Sequence, residues 1–144
     1  DGSFGDPPLY KVNLVSRGRA LLLLMLYTDV DLQDAPTRIR VGSHAEVARA
    51  LARLGDDVTF IPERHAPDVL DLPIDHAVGD AGTVYLCHPF LVHAASWPHD
   101  GDGPRVIGQP CIHHPQGEWL GGFDYDSDRD APVLTAVRGA LIKN

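Results

Sequence analysis

The stretch Gly82-Thr83-Val84-Tyr85-Leu86-Cys87-His88-Pro89-Phe90-Leu91-Val92-His93-Ala94-Ala95-Ser96 decides how this chain is read. Two short runs rich in apolar, β-branched and aromatic residues, 83–87 and 90–94, read as strands separated by a turn at His88-Pro89. The second run carries His93 toward a strand end, where rigid backbone holds an imidazole in a fixed direction. Arg105 opens the next apolar run. Its guanidinium is planar, permanently charged and matched to a carboxylate. That order suits a metal-bound imidazole and a carboxylate-binding guanidinium side by side on neighbouring strands.

Composition narrows the classes around this core. At 144 residues and 44% hydrophobic, the chain is expected to form one domain over 1–144 with a real core. A formal charge of −8, with no cluster of Lys or Arg against it, argues against a nucleic-acid partner. Cys87 and Cys111 lie far apart, so neither a zinc knuckle nor a disulfide framework is indicated, and reduced cysteines in a cytoplasmic protein are expected. The apolar run 20–26 is far shorter than the ~20 residues of a membrane span. It reads as a strand covered on both faces, with no membrane partner. The acidic, glycine-containing start lacks the pattern of a signal peptide.

Further strands are expected at 10–16, 20–27, 37–41, 73–78 and 106–112. In 37–41, Arg38 and Arg40 alternate with Ile39 and Val41, the pattern of a half-buried strand with one wet face. Ser43 and Glu46 have capping-box spacing, and Val47, Leu51 and Leu54 follow on one helical face until Gly55. Residues 58–72 read as an irregular connection with short extended pieces, 98–104 as a loop and 124–130 as an acidic surface stretch. A terminal helix is expected over 131–142, capped by Asp130, with Pro132 in its first turn. Many short strands with a helical insertion favour an all-β fold with minor helices, a sandwich or jelly roll. Its core spans about 1–112, with 113–144 as a carboxy-terminal extension.

Eight histidines give many candidate ligands. For His65, His76, His99, His113 and His114 a structural or solvated imidazole is the simpler reading, and His88 reads as a turn residue. His93 alone is carried by an apolar strand. For Arg105 the competing reading is a surface ion pair with Asp100 or Asp102, which is worth little. Asp1 is the third element, because two imidazoles and a carboxylate on one face of a metal leave open positions, as in non-haem Fe(II) oxygenases. In a strand, residues i and i+2 point the same way. The partner imidazole is therefore expected two residues before Asp1, upstream of the given sequence. Asp29 and Asp31 read as turn residues, and Gly42-Ser43-His44 as a turn, a helix cap and a first helical turn.

Asp1-Gly2, the block Leu26-Tyr27-Thr28-Asp29-Val30-Asp31 leading through Asp34-Ala35-Pro36-Thr37 to Arg40-Val41-Gly42-Ser43-His44, and the stretch 82–96 with Arg105 together resemble the phytanoyl-CoA dioxygenase family. The resemblance covers about 1–112. It implies an Fe(II)- and 2-oxoglutarate-dependent oxygenase on a double-stranded β-helix, with Asp1 and His93 as metal ligands. Arg105 would be the 2-oxoglutarate anchor and Ser96 its assistant, with no catalytic residue beyond the metal ligands. A small organic substrate and O2 would be the partners, with succinate and CO2 released. Asp at position 1 argues against a halogenase, which needs the carboxylate's place for halide. The family's first metal histidine and preceding strands are not in the sequence, so the chain reads as the carboxy-terminal part of a larger one, with an uncovered sheet edge and apolar face. Two alternatives stay open: a non-catalytic jelly-roll binding module with a degenerate metal site, and a cupin-like metalloenzyme that does not use 2-oxoglutarate.

Overall fold

A computed structural model describes residues 21–54, 62–112 and 139 of the chain. The expected strand 10–16 and Asp1 lie outside these residues, as do the acidic stretch 124–130 and all but Gly139 of the expected terminal helix. The described part is mostly β, built from antiparallel sheets with one helix of three turns, α1. No helix among the described residues is long and apolar enough to cross a membrane.

The first sheet is centred on β1 (Leu21–Leu26), which pairs on one side with β4 (Val84–Cys87) and on the other with β6 (Ile107–Gly108) and β7 (Cys111–Ile112). The second has the order β3-β2-β5, with β2 (Thr37–Arg40) between β3 (Ile74–Ala77) and β5 (His93–Ala94). Residues directly opposite in a ladder share a face. Leu22, Leu24 and Leu26 therefore look the same way as Cys87, Tyr85 and Ile107. Likewise Thr37 and Ile39 look the same way as Ala77, Asp75 and His93. Leu24, Ala77 and Cys87 form a buried cluster joined by Leu22, Ile39, Tyr85, Leu91 and Ile107, so these two faces pack on each other. Burial pushes the Cys87 thiol above its ordinary pKa.

The other face of the first sheet carries Leu21, Leu23 and Met25, which are half-buried. Beside them Leu86 is 70% exposed. Within the described part of this run, 21–26, only Leu24 and Leu26 are fully buried, both on the face toward the second sheet.

Helix α1 (Ser43–Leu54) forms where its periodicity predicts, burying Val47, Ala48, Ala50 and Leu51. Gly42, at φ +83°, makes the turn from β2 into it, a conformation that a side chain resists. The capping box is not formed. Ser43 Oγ instead accepts the backbone N–H of Val92 at 2.8 Å, and Glu46 pairs with Arg49 one turn on. The buried face of α1 packs on Ala66, Val69 and Phe90.

Three elements differ from their sequence reading. Residues 62–71 are helical, with α2 (Pro62–His65) and a 3₁₀ turn (Pro67–Asp71), because each proline takes an opening position that suits its fixed φ, and Ala66 and Val69 are buried against α1. The expected strand 90–94 shrinks to His93–Ala94, since Phe90 is drawn into the α1 cluster and Leu91 closes a turn onto the His88 carbonyl. The run 106–112 splits into β6 and β7 around Pro110, which has no N–H to donate but whose carbonyl accepts from Leu23 at 3.0 Å.

Candidate functional site

His93 stands opposite Ile39, and Ile39 packs between the sheets. The imidazole is therefore carried on the inward face of the second sheet, half-buried. Its backbone is held from two directions. Val92, the preceding residue, donates its N–H to Ser43 Oγ at 2.8 Å and accepts the N–H of Arg40 at 2.9 Å. The imidazole Nδ1 lies 2.9 Å from the Leu91 carbonyl. With Nδ1 as the donor in that contact, the lone pair sits on Nε2, the form in which a histidine binds a metal.

Arg105 lies in the segment that leads into β6 of the first sheet. It lies two residues before Ile107, whose side chain packs between the sheets, and Val106 is already paired, its carbonyl accepting the Tyr27 N–H at 2.9 Å. One Arg105 guanidinium nitrogen, Nη1, is buried and has no hydrogen-bond partner among the described residues. A buried donor left unpaired is costly, and a charged one more so, unless a ligand completes it.

His93 and Arg105 thus do not stand on neighbouring strands, as their order in the chain suggests. His93 belongs to the second sheet, and Arg105 lies just before β6 of the first, the two sheets packing face to face. The loop between them is fastened at several points. Ser96 Oγ donates to the Pro36 carbonyl, Asp100 and Gly101 donate their N–H groups to the Gln33 carbonyl at 2.8 and 3.1 Å, and Val106 N–H reaches Thr28 Oγ1 at 3.1 Å. Ser96 therefore anchors the loop that delivers Arg105, and no hydrogen bond joins the two side chains among the described residues. Ala35, at φ +49° and buried, lies in the turn that receives this loop.

Asp29, Asp31 and Asp34 face a shallow acidic cavity of about 320 Å³. Their carboxylates accept backbone N–H groups of Ala81, Gln33 and Asp31 respectively, which is turn work. Among the described residues no three His, Cys, Asp or Glu side chains converge closely enough to hold a metal ion. Gly42-Ser43-His44 behaves as a structural corner. His44 stacks on His88 with ring centroids 5.1 Å apart, and burial lowers its pKa below 6.5.

Sequence reasoning missed Ser43 as the support of His93, because a serine after a glycine at a helix start reads first as a cap. It also missed the carbonyls of Leu91, Gln33 and Pro36, for which side-chain chemistry gives no signal. Set beside protein-family models, characterised proteins and solved structures, the chain has no significant match in any of the three.

Proposed function

We propose that the chain carries part of the active site of an Fe(II)- and 2-oxoglutarate-dependent dioxygenase of phytanoyl-CoA dioxygenase type, on a jelly roll of the double-stranded β-helix kind. The fold part of this reading is supported by the two antiparallel orders β4-β1-β6 and β3-β2-β5. Successive strands cross between the sheets at β1–β2, β3–β4, β4–β5 and β5–β6, as winding a roll requires. The observation that carries the functional part is the buried, unpartnered Nη1 of Arg105, two residues before Ile107 of the first sheet.

His93 would hold the metal through Nε2, with Nδ1 kept on the Leu91 carbonyl. Asp1, outside the described residues, would supply the carboxylate ligand. Arg105 would bind the far carboxylate of 2-oxoglutarate, a charge-assisted contact that a partly dry site strengthens. Bound there, iron and cosubstrate would supply oxidative decarboxylation to succinate and CO2, coupled to hydroxylation of a small organic substrate by O2. The protein's own share is orientation and exclusion of water: the sheets cover the site, Ser43 and Arg40 fix the strand of His93, and Ser96 and Gln33 fix the loop of Arg105.

Two substitutions test the reading. His93→Ala should abolish Fe(II) binding in anaerobic titration, whereas His99→Ala, in the exposed part of the loop, should leave it unchanged. Arg105→Leu should weaken 2-oxoglutarate by roughly 2 kcal/mol or more while iron affinity changes little. Unchanged Fe(II) affinity without His93, or an unchanged 2-oxoglutarate dependence without Arg105, would remove that residue from the site.

A further inference from the structure

Arg38 and Arg40 of the second sheet line a basic groove that His93 borders but that the reading of Arg105 does not use. Arg38 and Arg40 alternate with Ile39 along β2, so they stand on the face opposite the one that packs against the first sheet. Arg38 is flanked in register by His76 and Ala94, and Arg40 by Ile74. Together with Leu70, Ile74, Val92 and Ala94 the two arginines line a cavity of about 210 Å³, which Ile39 and His93 also border.

Two features mark this groove as more than a wet sheet face. First, in a chain of net charge −8 its arginines have no carboxylate partner among the described residues. Arg40 Nη1 donates to the Leu72 carbonyl at 2.8 Å, which fixes the guanidinium and leaves its other N–H groups for a ligand. Arg38 is exposed and makes no hydrogen bond or ion pair among the described residues. The neighbouring Asp75 faces the other way, its carboxylate accepting the N–H of His76. Second, the wall beside the cations is apolar and open, with Leu70 42% and Ile74 45% exposed. Exposed apolar surface gains by being covered, and a fixed guanidinium beside a free one matches a carboxylate head.

We propose that this groove binds an organic carboxylate with a short apolar tail, the head on Arg38 and Arg40 and the tail along Leu70, Ile74 and Val92. The site adjoins His93, which borders the same cavity, but its carboxylate grip is Arg38 and Arg40 and needs neither iron nor Arg105. The test is a titration of the isotope-labelled full chain with octanoate, read from backbone amide shifts, with 1-octanol as the uncharged probe and inorganic phosphate as the tail-less one. Octanoate should give saturable shifts at residues 38–40, 70–74 and 92–94, and both other probes should bind at least about fivefold more weakly. Arg38→Gln, at an exposed position that leaves the fold intact, should weaken octanoate at least about fivefold, and so should Arg40→Lys, which keeps the charge but loses the fork. Arg105→Leu should leave octanoate binding here unchanged. Shifts that stay linear to the solubility limit would overturn the proposal. So would equal octanoate affinity in Arg38→Gln, or phosphate binding as tightly as octanoate.

Discussion

Replacing Ser43 with alanine should cost about 1–2 kcal/mol of stability, although the residue touches no proposed ligand. Its side chain is fully buried, and its Oγ is the acceptor for the N–H of Val92 at 2.8 Å. Without it, that N–H lies against the new methyl group with no partner, and the penalty is the desolvation of one backbone donor, in the range of about 1–3 kcal/mol. The lower part of that range applies because Val92 is only half-buried and water can reach it in part. No loss of a helix cap adds to this, because the hydroxyl caps nothing on α1. The assay is urea unfolding of the wild-type and Ser43→Ala chains, followed by Fe(II) titration of both. Iron affinity should also fall, because Val92 precedes His93 and its carbonyl remains the only fixed end of that peptide pair. Val69→Ala serves as control: it removes methyl groups from a fully buried site on the α1 cluster, at a comparable cost of about 0.5–2 kcal/mol, without touching β5. A loss below about 0.5 kcal/mol in Ser43→Ala, or equal iron affinities in Ser43→Ala and Val69→Ala, would refute the argument that this hydroxyl positions His93.

Gly101 and Gly103 make a matched pair in the loop that leads to Arg105. A Cβ at Gly101 would lie 1.8 Å from Asp34 Oδ1, so Gly101→Ala should destabilise by about 1–3 kcal/mol and weaken 2-oxoglutarate binding. At Gly103 nothing lies within 4 Å, and the same change should stay within about 0.5 kcal/mol in unfolding experiments. His44 has its pKa lowered by burial, so the unfolded chain takes up its proton first. Its contribution is complete above pH 6.5 and is lost as pH falls from there toward the lower folded-state pKa. The stability difference between wild type and His44→Gln should therefore shrink over that acidic window, and a constant difference in unfolding free energy would contradict it.

Local patterns in the chain determined a good deal. The period of apolar residues from Val47 to Leu51 specified α1, and alternation of Arg38 and Arg40 with Ile39 specified a strand with one wet face. Gly42 and Pro89 marked turns, because fixed or positive φ angles are properties of single residues. His93 and Arg105 stood out by residue type and flanking pattern. What the sequence could not express was which groups meet over long separations. The same serine spacing that predicts a capping box also permits a bond to Val92, and only the packing of α1 over the lead-in to β5 decided between them. Phe90 has strand propensity, but the buried volume beside Val47 and Leu51 drew it out of the sheet and shortened β5. Residues 62–71 became helical because burying Ala66 and Val69 against α1 outweighed their mixed local preferences. The separation of His93 and Arg105 onto two facing sheets follows from register and winding, which are set by contacts between distant segments and leave no mark on the residues near either one.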